Sequence, residues 1–551
     1  MNRYKLSLLL LTIAFVLFTR LWQINSLPPL NRDEAAIGYN AYSLLATGRD
    51  EWGKFLPLSF KSFGDYKMPG YIYATLLPVK IFGLTVFSTR FWSLVSGLAA
   101  IISFYFLSLF VFKNLQIIKS KKKPAALLAA LALALNPWHF YFSRAAFEAN
   151  LNLTLFLVGL TTFFYGFSKR WLLSLSGLSF GLMFYTYSSS FIFLPLLLVL
   201  LVINFRKDLV KKGSRSAKLN IYILIGLVIF SALTLHAAWS VWQVSKAKKN
   251  ITIFSDPGIL DNFNKIRSQA FARSPIWART WLNKPFFYSR ILATNYLSTF
   301  SPNFLILNAG SHPWHQIPKM GNFYWTDLVF ILLGLGALVF LKNKKIKWLI
   351  LAWLLISPLP SAITVDAPHA TRMLQIVPIM VIVMAIGYIR LWTWLVKKSP
   401  AVKKTVLFLL AVFYILQAGR YFYLYTIDYP KSLPQTLMPG IEKAISWIDE
   451  QNNKSRLVVF SDPLDFPYIY VAFYAKISPD FFQKNAIWKP PGPAGLTAVE
   501  KVGNYRFWEG LPETNKKAFY VLQGETKAPA GFSLKTRVKE AGQTRWSIYA
   551  N

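Results

Sequence analysis

Apolar residues in this chain come in long unbroken runs. They do not show the alternation of a half-buried strand or the three-and-four spacing of a one-sided helix. A membrane crossing takes ~20 mostly apolar residues, so runs of this length read as spans. The pattern predicts spans over 6–23, 88–112, 124–138, 149–167, 171–188, 190–205, 220–241, 326–342, 347–363, 373–395 and 405–425, about eleven in all. The run 124–138 is short and reads as tilted or re-entrant. Leu6 to Phe18 follows Arg3 and Lys5 as a signal peptide would, but Thr19-Arg20-Leu21-Trp22 offers no small-residue cleavage site. It therefore reads as a retained first span. The stretch 70–84 is apolar but interrupted by Pro78 and Lys80, and reads as an amphipathic helix lying at the membrane interface.

Hydrophobic density falls in 426–551. This tail holds a helix-like stretch, Gly440 to Glu450, and a strand-like run, Arg456-Leu457-Val458-Val459-Phe460. The fold expected is a polytopic α-helical membrane protein with a small C-terminal α/β domain outside the membrane. Residues 1–425 form its transmembrane part, with outer loops at 24–87 and 242–325, and 426–551 the soluble part. No short repeat is evident.

Composition agrees. Of 551 residues, 54% are hydrophobic and only 15% charged, against ~45–50% and ~25% in an ordinary soluble domain. The net charge of +38, from 61 Lys and Arg against 23 Asp and Glu, would suggest nucleic acid in a soluble protein. Here most short basic runs fall between spans, and the positive-inside effect accounts for them, so nucleic acid is not an expected partner. There is no cysteine, which excludes disulfides, thiolate metal sites and cysteine nucleophiles.

The basic connectors also give a topology. Lys113, Lys119, Lys121, Lys122 and Lys123 form one. Arg206, Lys207, Lys211, Lys212, Arg215 and Lys218 form the next. Lys342, Lys344, Lys345 and Lys347 follow, then Lys397, Lys398, Lys403 and Lys404. The span list puts all four on the side of the N-terminus, which is therefore cytoplasmic. The long loop 242–325 carries Lys246, Lys248, Lys249 and Arg267, but long loops escape that rule.

The chemistry-bearing residues then collect on the outer side. After the first span comes Asn31-Arg32-Asp33-Glu34-Ala35-Ala36-Ile37-Gly38-Tyr39, read as the opening of a loop. A carboxylate pair held beside hydrocarbon is costly and points to function. Further on stand Phe63-Gly64-Asp65-Tyr66-Lys67-Met68-Pro69, then Arg144 and Glu148 after the third span, then Asp366-Ala367-Pro368-His369-Ala370-Thr371-Arg372 before a late one. Cations at the interface can clamp a phosphate carried on a lipid. A nearby carboxylate can take a proton from an acceptor hydroxyl. A phosphate leaves without a general acid, given charge stabilisation. One base and a cationic clamp suffice for sugar transfer from a lipid phosphate, and no glycine-rich nucleotide fingerprint is present.

In these elements the sequence resembles the GT-C class of integral-membrane glycosyltransferases, in the bacterial branch that includes aminoarabinose transferases and protein O-mannosyltransferases. The likeness rests on Asp33-Glu34 after the first span, Gly-x-x-Lys-x-Pro at Gly64 to Pro69, Arg144-x-x-x-Glu148, and Pro368-His369-Ala370-Thr371-Arg372. The resemblance implies a polyprenyl-phosphate sugar donor, a lipid, glycan or protein acceptor, and inversion at the anomeric carbon. It implies Asp33 as catalytic base with Glu34 the close alternative, and Lys67 at the donor phosphate. Glu148 would shape the acceptor site, where many relatives carry Asp. Arg372, with His369, would be a phosphate clamp, and Arg144 and Asp65 join the substrate-binding set. A divalent metal is compatible with the class, but the inverting scheme does not require one and no firm ligand set is seen.

Each of these residues has a plainer reading. Arg144 and Glu148 are four apart and would pair on a helix. Lys67 would snorkel, Arg372 would anchor a span end, and Asp65 would serve a turn. His312 and His315 have metal-like spacing, but without a third ligand they read as loop residues. The rival functions are a transporter or flippase of lipid-linked sugars, which would place charge at mid-span, and a non-catalytic envelope protein binding polysaccharide.

Overall fold

The computed structural model describes residues 14–63, 65–115, 122–210, 218–245, 252–276, 280, 282–310, 312, 314–451, 456–460, 466–491, 496–507, 517–528 and 530–551. Outside them fall much of the predicted first span, Gly64, Lys119, Lys121, Lys211, Lys212 and Arg215 of the basic connectors, and Lys246, Lys248 and Lys249. The chain groups into two compact units. One comprises residues up to Leu94, Arg144–Ala146 and Tyr423–Asn551; the other Val95–Ser143 and Phe147–Phe422.

Every predicted span from 88 onward coincides with a helix, with ends shifted by a few residues. Among the described residues, six helices are long and apolar enough to cross a membrane: Val86–Leu115, Ser190–Leu209, Ile221–Gln243, Lys344–Ala362, Ile376–Leu395 and Pro400–Lys431. Leu172–Thr186 and Trp325–Val339 are apolar but shorter, so among the described residues length and composition alone do not reach eleven crossings. Leu224, Leu227, Val228 and Leu235 stand exposed along one of these helices, a surface suited to hydrocarbon. The chain is a membrane protein.

Inside the second unit the helices approach through small residues. A methyl group on Gly334 would lie 1.9 Å from the carbonyl oxygen of Val383, and one on Gly177 would lie 2.2 Å from that of Gly226. Without a hydrophobic driving force between helices in lipid, such close backbone packing is a main source of association. Polar residues are paired across helices. Asn152 Nδ2 donates to Met183 O, Thr186 Oγ1 and Ser190 Oγ, and its Oδ1 accepts from Gln375 Nε2 at 2.7 Å. The long loop expected at 242–325 holds helices at Pro257–Arg273 and Lys284–Ser298.

The first unit is built around a seven-stranded mixed sheet. Its strands are β3 (Leu457–Phe460), β4 (Ile487–Trp488), β5 (Val499–Val502), β6 (Tyr505–Phe507), β7 (Ala518–Gln523), β8 (Ser533–Glu540) and β9 (Gln543–Ala550), in the order β4-β5-β6-β3-β7-β9-β8. β3 runs parallel to both β6 and β7, and the other pairs are antiparallel. β3 and the Ile441–Glu450 helix match the strand-like and helix-like runs of the sequence. A small hairpin, β1 (Phe60–Ser62) and β2 (Asp65–Lys67), belongs to the same unit.

The segment read as a loop opening at Asn31 is instead a helix, Arg32–Thr47. Asn31 caps it, with its side chain on the Glu34 N–H and the Glu34 carboxylate on the Asn31 N–H, a reciprocal capping box. Gly48 ends it at φ 68°, where only glycine is unstrained. The helix is no wet surface element. Ala35, Ala36 and Tyr39 enter one core with Ile441, Ala444 and Ile445 of the helix before β3, and with Val458, Phe460, Phe519 and Ile548 of the sheet. Tyr39 Oη donates to the carbonyl of Ile477 at 3.0 Å.

Candidate functional site

Asp33 and Glu34 are neighbours that the helix sends to different surroundings. Glu34 is fully buried. Arg90 holds it bidentately, Nε to Oε1 at 2.8 Å and Nη2 to Oε2 at 2.7 Å, and donates a third bond from Nη1 to Ile24 O. The Ala146 N–H donates to Oε1 at 2.7 Å, and Asn31 supplies backbone and side-chain donors to Oε2. A carboxylate so saturated ties residues 24–34, 90 and 146 together. Arg90 was missed in reading the sequence, although a lone cation near the start of an apolar run is a signal in itself.

Asp33 is about one-third exposed, and its Oδ1 lies 2.8 Å from Lys67 Nζ. The lysine ends β2, where Phe60 is its partner across the hairpin. Met68 then caps the Pro69–Phe82 helix and Pro69 takes its first turn, a position that suits proline because no N–H is needed there. The Lys-x-Pro pattern thus marks a strand-to-helix junction with the ammonium at its end. The Asp65 side chain lies outside the described residues.

A second acid in this unit was not singled out in the sequence. Glu51 is buried, and burial followed by the neighbouring Asp50 charge pushes its carboxyl up to about 8. Asn40, Ser62 and Lys67 act weakly in the opposite direction. Arg144 is also buried in this unit, and each guanidinium N–H has an oxygen acceptor. Nε donates to Tyr425 Oη at 2.9 Å, Nη1 to the carbonyls of Thr19 and Arg20, and Nη2 to those of Trp22 and Leu27.

In the second unit, Glu148 is the first residue of the Glu148–Tyr165 helix, where the helix dipole favours a negative charge. Arg372 Nη1 pairs with Asp366 Oδ1 and donates to Thr364 Oγ1 at 2.7 Å. The other oxygen, Asp366 Oδ2, is 3.4 Å from His369 Nε2. Burial first, then Arg372 and His312, holds the His369 imidazolium well below its usual pKa, so the ring is neutral at pH 7. His312 and His315, read as loop residues for want of a third ligand, have His369 beside them.

No family model matches the chain, and no curated protein matches it. Among solved structures it is similar over its whole length to ArnT from Cupriavidus metallidurans bound to undecaprenyl phosphate. That match covers 99% of this chain and 98% of the other, with a TM-score of 0.54 and 12% identity. The apo state of the same protein gives a TM-score of 0.51 at 11% identity. An oligosaccharyltransferase from Archaeoglobus fulgidus, tethered to an acceptor peptide, gives 0.50 at 14% identity; the match spans 86% of this chain but 63% of that one. The chain therefore carries the fold of the GT-C integral-membrane glycosyltransferases.

Proposed function

We propose that this protein is a membrane glycosyltransferase that moves a sugar from a polyprenyl-phosphate donor to an acceptor hydroxyl or similar group on a lipid, glycan or protein, with inversion. The observation that carries the proposal is the Asp33–Lys67 pair, a carboxylate and an ammonium 2.8 Å apart. The likeness to an ArnT bound to undecaprenyl phosphate supports a lipid-phosphate donor. In the proposed step the acceptor oxygen attacks the anomeric carbon as the bond from that carbon to the phosphate oxygen breaks. The acceptor proton passes to Asp33. The phosphate departs as an anion against Lys67. A donor phosphate competes with Asp33 for the ammonium, so donor binding loosens the pair and raises the readiness of the carboxylate to accept the proton.

Glu34 is assigned to holding the helix that presents Asp33, and Arg144 to anchoring the chain before that helix. Glu148 is assigned to the acceptor and Arg372 to phosphate. The chemistry belongs to the outer side of the cytoplasmic membrane, with the N-terminus inside. Purified protein in vesicles, supplied with polyprenyl-phosphate sugars, tests the reading. Loss of sugar from the donor lipid with wild type and not with Asp33→Asn is the expected result. Movement of intact lipid across the bilayer without any turnover would replace the enzyme by a flippase.

A further inference from the structure

Among the described residues, His312, His315 and His369 are the group close enough to hold a metal ion, with one ring nitrogen from each lying within 4.8 Å of the others. They come from two loops. His312 and His315 belong to the segment after the π-helical turn Asn303–Leu307, and His369 precedes the short 3-10 helix Ala370–Met373. Both loops are fixed by backbone contacts. The Tyr141 hydroxyl donates to Trp314 O at 2.9 Å, His315 N–H to His312 O at 3.1 Å, and His369 N–H to Ser361 Oγ at 2.7 Å. Gly310, at φ 119°, lets the first loop pass close to Pro368 O. The rings of His312 and His315 are stacked at 4.2 Å, and His369 meets them at 5.5 and 4.8 Å.

The surroundings suit an ion more than a packed core. His369 is 6% exposed, and its Nδ1 is buried without a hydrogen-bond partner, which a core histidine ordinarily avoids. Its other nitrogen faces Asp366 Oδ2 at 3.4 Å. A carboxylate behind a histidine, orienting the ring and raising its basicity, is the usual outer partner of a metal-bound imidazole. Asp366 is in turn held by Arg372. Trp314 and Phe147 wall the group at 5.2 and 5.3 Å, which keeps the site dry on that side.

We propose that His312, His315 and His369 bind a borderline-soft divalent cation, Zn²⁺ in the first instance, with Asp366 as outer partner and the fourth position open to water. Three imidazoles select zinc over magnesium or calcium, which prefer oxygen. A tetrahedral ion at ~2.0–2.1 Å from each nitrogen needs the ring atoms roughly 3.3 Å apart. The widest separation must therefore close by about 1.5 Å, which rotation of side chains on loops allows. The ion would staple the loop that carries His312 and His315 to the loop that carries His369. This inference does not depend on sugar transfer.

The test uses full-length protein in detergent, without a polyhistidine tag, stripped by chelation and dialysed against Zn²⁺ or Co²⁺. Metal analysis of wild type and of the control His236→Asn should give about one ion per chain. Loss of a ligand in His315→Asn or His369→Asn should abolish stoichiometric binding, and Asp366→Asn should weaken it by roughly 10- to 100-fold. X-ray absorption on zinc-loaded wild type counts the imidazole ligands directly, so the result stands even if a histidine variant fails to fold. No ion on wild type, a spectrum without histidine ligands, or binding unchanged in folded His315→Asn and His369→Asn would each overturn the site.

Discussion

Asp33 Oδ1 meets Lys67 Nζ at 2.8 Å, while the adjacent Glu34 is turned away and closed off by Arg90. Successive residues of one helix turn thus have opposite situations, one acid partly exposed beside a lysine and one with its oxygens engaged by arginine and backbone donors. The contrast separates what each should do when changed.

Asp33→Asn keeps the shape of the side chain and removes the base. Transfer from a polyprenyl-phosphate sugar should fall by ~10²- to 10⁴-fold, the usual contribution of a positioned base, with the thermal midpoint in detergent unchanged. Lys67→Ala should also lower turnover, and more so in assays where donor is limiting. An Asp33→Asn protein with wild-type turnover would remove Asp33 from the reaction.

Glu34→Gln should behave differently, since it leaves Arg90 buried with its charge uncompensated. Breaking a buried pair by removing one partner costs about 3–5 kcal/mol. Expected is a lower yield of monodisperse protein and a thermal midpoint well below that of Asp33→Asn. Arg90→Ala should show the same loss. If Glu34→Gln is as stable as wild type and merely inactive, the acid belongs to the chemistry after all.

Glu51 gives the pH dependence a sign. Its folded-state carboxyl titrates near 8, against 4.5 for the ordinary group. Between those values the folded protein binds a proton that the unfolded chain has released. Its contribution to stability is therefore full below 4.5 and is lost as pH rises through about 8. Thermal midpoints measured across that window should fall with pH more steeply in wild type than in Glu51→Gln, and the variant should be the more stable of the two at the alkaline end.

Gly334 and Gly336 lie two apart on one apolar helix, yet only the first is pressed against a neighbour. Gly334→Ala puts a methyl group where the carbonyl oxygen of Val383 stands at 1.9 Å, whereas nothing lies within 4 Å of a methyl on Gly336. The first change should lower folded yield and thermal midpoint, because a backbone carbonyl cannot move aside as a side chain can. Gly336→Ala should be neutral or slightly stabilising, as alanine replaces glycine in a helix interior.

The helices were legible because hydrocarbon demands long apolar runs, and a run announces itself whatever it packs against. The Arg32–Thr47 helix was not, although Asn31 and Glu34 spell a capping box. Two charges made the segment look like a loop, and its apolar residues gain their meaning only from the distant sheet. Asp33 and Lys67 were singled out separately, but that they touch follows from the β1–β2 hairpin, which a three-residue strand pattern cannot signal. His312 and His315 showed their spacing at once. Their third companion, His369, comes much later in the chain, and no local pattern connects it to them.

The core shared by Ala35, Ala36 and Tyr39 with the sheet and with Ile441, Ala444 and Ile445 sets an order of events during synthesis. The helix carrying Asp33 is made before the surface that covers its apolar face, which follows more than four hundred residues later, as the separation of Tyr39 and Ile477 by 438 positions makes plain. Contacts so far apart close slowly. Until ribosomes have delivered the sheet, the proposed base waits on a helix with an uncovered face, and a nascent chain carries the acid before it can hold it in place.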